Sequence, residues 1–198
     1  MFPSHPHSVT AGLDSDVAIA YNLHKNKPQY ILGITGMDID KSSRHAKIVG
    51  DFGEQIVANW LSRSGWQVVS VDHTGIDIIA YHRKNGKRVG VTVKSRTRKP
   101  GTETSSINLF FRKKKDRKKV QMACKGFGCE PWIAVYVEAK ESTDLYLTSL
   151  ANYDAKYRGK GRKTIDDWKM SKNYLQRYDF DQKVHHIHLK FEDKHWKW

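Results

Sequence analysis

The sequence predicts an α/β fold, a central mixed β-sheet flanked by helices, on three observations. Apolar residues recur at helical spacing between Val49 and Trp60, three strand-like segments follow closely between residues 67 and 94, and a basic helical stretch then precedes two more strand-like segments.

Residues 1–42 mix Pro, His, Ser and Asp around one moderately apolar patch at 30–34 and show no sustained period, so they are expected to form an N-terminal extension. From Ser43 the pattern changes. Val49, Phe52, Ile56 and Trp60 share one helical face, and Gly65 supplies a left-handed stop. Gly53 and Ala58 lie on either side of Glu54 and allow this helix to approach a sheet closely. Segments 67–71, 76–82 and 88–94 have strand composition, and Asn85-Gly86 between the last two favours the positive dihedrals of a hairpin turn, which makes a three-stranded meander.

Residues 95–108 are rich in turn formers and positive charge and read as an exposed loop. A basic helix is expected over 112–125, followed by strands over 132–138 and 144–149. That helix provides the crossover a parallel return strand needs. The expected core therefore spans 43–150, in the order helix, three strands, helix, two strands. Residues 151–198 are expected to form a basic and aromatic appendage that ends in a strand over 184–191.

A formal net charge of +14 and a pI near 9.7 point to a polyanionic partner, because clustered Lys and Arg release phosphate counterions on binding. No apolar run approaches the roughly 20 residues that span a bilayer. The N-terminal residues lack the basic start and apolar stretch of a secretion signal, so an intracellular, DNA-associated location is expected. Cys124 and Cys129 are too few for a four-ligand zinc site and read as ordinary reduced thiols.

The chemistry gathers on the first helix and the second and third strands. Alternation sends Val89, Val91 and Val93 to one face of the third strand and Gly90, Thr92 and Lys94 to the other. Asp77 interrupts an apolar strand, where an unpaired carboxylate costs several kcal/mol and calls for a compensating cation. Glu54 on the helix, Asp77 on the middle strand and Lys94 beside it would converge at one edge of the sheet. Such a cluster suits phosphodiester hydrolysis. Mg²⁺ takes carboxylate, water and phosphate oxygens, and an ammonium beside it stabilises charge developing on phosphorus.

At Gly53-Glu54-Gln55-Ile56-Val57-Ala58-Asn59-Trp60-Leu61, Gly75-Ile76-Asp77-Ile78-Ile79-Ala80 and Val91-Thr92-Val93-Lys94-Ser95-Arg96, the chain resembles the PD-(D/E)XK nuclease superfamily in its Holliday junction resolvase-like and restriction endonuclease-like branches. The resemblance covers roughly residues 45–150. It implies a restriction endonuclease-like core and cleavage of DNA with Mg²⁺, for which Mn²⁺ can substitute. It also implies catalytic roles for Glu54, Asp77 and Lys94, metal-ligand positions at Asp77, Glu54 and Thr92, and, as in the resolvases, a homodimer. Thr92 departs from the pattern, which has Glu, Asp or sometimes Gln two residues before the lysine. Either another acid, with Glu54, Asp72 and Glu103 the candidates, compensates for the neutral hydroxyl, or metal binding is weak. A metal-dependent endonuclease and a DNA-binding protein with a weak or inactive nuclease site are thus both expected readings.

Arg96, Arg98 and Lys99 follow the lysine and are placed to grip flanking phosphates, and the run 112–119, with Arg112, Lys113, Lys114, Lys115 and Lys118, adds a second basic patch. Arg158, Lys160, Arg162 and Lys163 surround two glycines as a weaker third. Trp168, Tyr174 and Tyr178 are expected in the appendage's own core, while Trp196 and Trp198 are candidates for base stacking. His186 and His188 alternate with Ile187 and Leu189, and so form the polar face of a half-exposed strand.

Overall fold

Among the described residues six strands, β1 (Trp66–His73), β2 (Ile76–His82), β3 (Lys87–Thr97), β5 (Glu130–Glu138), β6 (Ser142–Ser149) and β8 (Val184–Lys190), form one sheet in that order. The computed structural model describes residues 41–111, 114–159 and 166–192, with only the main chain of Lys114.

The first helix, α1 (His45–Arg63), forms where its periodicity placed it but is turned about its axis. Its buried residues are Val49, Gly53, Val57 and Leu61, one i, i+4 row, whereas Phe52 is 51% exposed and Ile56 and Trp60 lie half-buried on the flank. Gly53 sets this rotation. A Cβ there would sit 2.1 Å from Ser95 Oγ and 3.3 Å from Tyr136 Cβ, so the helix meets the sheet along its smallest side chain. The chain leaves α1 through Gly65 at φ +86°, the expected left-handed stop.

β1 (Trp66–His73), β2 (Ile76–His82) and β3 (Lys87–Thr97) form the antiparallel meander, turning at Gly86 with φ +68°. β3 runs on into what composition reads as a loop, because β5 (Glu130–Glu138) pairs with it in parallel from Val89↔Glu130 to Thr97↔Glu138 and satisfies its main-chain groups. After the short β4 (Ile107–Asn108), α2 (Lys114–Gly126) supplies the crossover, and β6 (Ser142–Ser149) returns antiparallel to β5. The mixed sheet and the order helix, three strands, helix, two strands are as the sequence predicts.

The chain beyond residue 150 differs from the expected appendage. α3 (Leu150–Lys156), β7 (Asp167–Trp168) and α4 (Lys172–Asp179) pack on the face that α2 covers, β7 pairs with β4, and β8 (Val184–Lys190) joins β6 as the last strand of the same sheet. Trp168 and Tyr178 are buried and stacked at 4.1 Å, in one core with Val120, Ile133 and Tyr146. Tyr174 packs at its margin. The aromatics do not build a small core of their own, because the sheet face beyond α2 is apolar and would otherwise be bare. Trp196 and Trp198 lie outside the described residues.

α1 covers the opposite face, over Ile78, Ala80, Val89, Val91, Val93 and Ala134. The valines of β3 thus point to α1 and Thr92 points away, as alternation requires. Cys124 and Cys129 pack against Gly90, where a Cβ would lie 2.7 Å and 2.9 Å from their sulfurs. Both are free, and burial pushes the Cys124 thiol up to about 12, which keeps it protonated. Among the described residues no helix is long and apolar enough to cross a membrane.

Candidate metal and nucleic-acid site

β2 and β3 part where the acidic residue stands. Their main-chain pairing ends at Ile78↔Val91, and the next N–H of β3 on that register, Val93, donates instead to Asp77 Oδ2 at 2.6 Å. The carboxylate occupies the place of a lost ladder bond, so the strands splay without orphaning a donor. Gly75 fixes the other wall. It has φ +116°, and a Cβ there would lie 2.8 Å from the main-chain carbon of Lys119, so α2 rests directly on the start of β2.

Between these elements opens a cavity of about 290 Å³. Asp77, Thr92, Lys94 and Arg96 line it from the sheet, and Asp116 and Lys119 from α2. Thr92 is buried, and its Oγ1 accepts from Lys94 Nζ at 3.2 Å. Glu54 is not part of this lining. It is nonetheless within the same field: burial first, then the charges of Asp77 and Asp51, push its carboxyl above the usual range, while Lys94 and Lys47 act against them. The helix, middle-strand and adjacent-strand residues singled out by sequence are thus brought into one electrostatic group.

The acid that lines the cavity together with Thr92 and Asp77 is one the sequence reading passed over. Asp72 and Glu103 are exposed and line no part of the cavity, and Glu103 accepts from the Gly101 N–H at 3.0 Å. Asp116 lines it, with Lys119 Nζ 3.8 Å away. Its signal was present: it is the sole acid in the basic run 112–119, one helical turn before the buried Val120.

The basic residues differ in where their charge goes. Arg96, Lys99, Lys115 and Lys118 are exposed. Arg98 is half-buried and donates to the Ser105 carbonyl, and burial, then the Arg96 charge, lower its guanidinium pKa. Arg112 and Lys113, the side chain of Lys114, and Lys160, Arg162 and Lys163 lie outside the described residues. Two cations of the predicted patches are turned inward: Arg117 is buried against Asp166 and Asp154, and Arg158 Nε donates to Asp166 at 2.8 Å. Their charge is spent on holding α2 and α3 to the segment before β7.

A second cavity, of about 320 Å³, lies on the α1 face. Trp60, Trp66, Trp132 and Leu145 wall it and no carboxylate lines it, so it offers nothing to a hard cation.

Fold and site together define a mixed α/β protein with an acid and lysine cluster where two central strands diverge. No known family model matches the sequence, and no curated protein matches it. Among solved structures, the chain is similar to Hjc of Archaeoglobus fulgidus, a Holliday junction resolvase from an archaeal hyperthermophile. That similarity covers 65% of this chain and 88% of the other at 15% identity, with a TM-score of 0.45.

Proposed function

We propose that the protein is a metal-dependent endodeoxyribonuclease whose site is Asp77, Glu54 and Lys94, with Asp116 standing in for the acid missing at Thr92. The observation that supports this reading is the convergence of Asp77, Lys94, Arg96 and Asp116 on one solvent-open cavity, with the Glu54 charge coupled to it. The donor set fits a hard cation. Carboxylates and a hydroxyl are oxygen ligands, and the mutual repulsion of Glu54 and Asp77 is what a dication relieves.

Asp77 and Asp116, with Glu54 acting through its charge from outside the lining, would hold Mg²⁺ or Mn²⁺, which when bound polarises a phosphate and lowers the pKa of a coordinated water. The chain's own residues do the remainder. Lys94, steadied by Thr92 Oγ1, presents an ammonium to the charge developing on the phosphate oxygens. Arg96 at the cavity mouth and Lys115 and Lys118 on α2 neutralise phosphates on either side and position the strand without reading bases. A buried Thr92 that already accepts from Lys94 favours a second reading, a DNA-binding protein with weak or no turnover.

Incubating supercoiled plasmid and four-way junction DNA with Mg²⁺ or Mn²⁺ separates them. Cleavage abolished by Asp77→Ala and sharply reduced by Asp116→Asn supports the nuclease. Salt-dependent binding with no cleavage above the Asp77→Ala control on any DNA form leaves the binder.

A further inference from the structure

At the far side of the sheet, β6 and β8 bring together a second set of metal-ligating groups. Antiparallel pairing sets Asp144 opposite His188 and Tyr146 opposite His186, so both imidazoles and the carboxylate share one face. Asp144 Oδ1 lies 2.9 Å from His186 Nε2 and 2.7 Å from His188 Nδ1, and the ligand atoms of all three residues fall within 4.8 Å of one another. His186 is fixed from two further directions. Its Nδ1 lies 2.9 Å from Asp179 Oδ1 at the end of α4, and its ring stacks on Tyr146 at 4.3 Å.

We infer that Asp144, His186 and His188 form a binding site for a borderline divalent transition-metal ion, with zinc the best fit. Two imidazole nitrogens and one carboxylate oxygen suit zinc better than magnesium or calcium, which take oxygen ligands. Asp179 occupies the position of the outer carboxylate that orients a zinc-bound histidine through its other ring nitrogen. Zinc–ligand bonds of about 2.0–2.1 Å place tetrahedral donors roughly 3.3 Å apart. The present separations therefore open by about half an ångström when the ion enters, within reach of side-chain torsions. His188 is 42% exposed and leaves the fourth position to solvent.

A metal here ties the edge strand β8 to β6 and to the end of α4. β3 and β5 stand between β6 and the β2 strand that carries Asp77, so the inference does not rest on the nuclease reading.

The test titrates the full chain with zinc alone, following stoichiometry by calorimetry and the melting temperature by thermal denaturation. The wild type is expected to bind one more equivalent of zinc than His188→Gln or Asp144→Asn. Its melting temperature should rise on zinc addition while that of both variants stays flat, and Asp179→Asn should weaken binding about tenfold or more. Cobalt substitution should give visible absorption bands that Asp144→Asn removes. Because His188 is substantially exposed, His188→Gln should fold, and a normal melting curve without zinc checks this. Zinc stoichiometry and melting response unchanged in His188→Gln, or no zinc response in the wild type, overturns the inference. Asp77→Ala should leave the zinc response intact.

Discussion

Gly53→Ala tests whether the closeness of α1 to the sheet, and with it the placement of Glu54, depends on one missing methyl group. Helix propensity alone would make the substitution stabilising by about 1 kcal/mol. Against this, the new Cβ would lie 2.1 Å from Ser95 Oγ and 3.3 Å from both Ser95 Cβ and Tyr136 Cβ. The serine hydroxyl can rotate away, but the two carbon contacts require the main chains to part by a few tenths of an ångström, an overpacking cost of about 1–3 kcal/mol. The net expectation is a loss of about 1 kcal/mol. Gly50→Ala is the internal control, since it lies in the same helix with nothing within 4 Å of its built Cβ, and it should gain about 1 kcal/mol. Urea titrations of both variants, repeated in a Ser95→Gly background that removes the facing Cβ as well as the hydroxyl, give the coupling. It should be about 1 kcal/mol for Gly53 and near zero for Gly50, with m-values unchanged. If Gly53→Ala stabilises as much as Gly50→Ala and shows no coupling to Ser95, the close approach is not what sets the helix.

Three further outcomes follow from the same structure. Arg117→Ala should cost about 3–5 kcal/mol in a denaturant titration, because it strips a buried guanidinium from between Asp166 and Asp154; a loss below 1 kcal/mol would show that Arg158 alone satisfies Asp166. Thr92→Glu should lower the melting temperature without metal, since Thr92 is buried beside Asp77, and should show a larger rise with Mg²⁺ than the wild type; equal metal responses would mean that no metal sits between these groups. Burial acts to raise the Asp181 carboxyl, yet hydrogen bonds from Lys156, Asn152, Tyr157 and the Lys183 N–H outweigh it and hold the carboxyl well below the usual range. A folded pKa below the unfolded one contributes stability that is present above the unfolded value, near 3.8, and is lost as pH falls toward the folded value. The stability gap between wild type and Asp181→Asn should therefore narrow below pH of about 4, and a gap independent of pH would contradict the assignment.

Most of the architecture was readable from local pattern. The meander up to residue 94 and the helix before it declare themselves through alternation, helical spacing and Gly65 and Gly86 at positive φ, because these signals lie within a few residues of each other. The parallel return of β5 was readable too, since the helix before it provides the crossover such a strand needs, whereas its pairing with β3 is decided by the tertiary structure. Where the reading differed, the deciding contact was distant in sequence. Phe52 looked like core and is exposed, because Ser95 and Tyr136 select Gly53 for the interface. Residues 95–97 looked like loop and are strand, because Glu130–Glu138 offers a partner.

The candidate site divides in the same way. By itself the sequence determined that Thr92 and Lys94 share a face, away from the β3 valines, and that Glu54 rides beside the apolar stripe of the first helix, since strand and helix periods dictate both. Only the tertiary structure decided that Asp116 rather than Asp72 or Glu103 lines the cavity with them, that Arg117 and Arg158 turn inward, and that residues 151–192 complete the sheet and its core. The reason is physical: periodicity assigns a side chain to a face, whereas its neighbours across that face depend on which helix packs there and how closely. Here Gly75 sets that distance, by letting the α2 main chain rest on the strand two residues from Asp77.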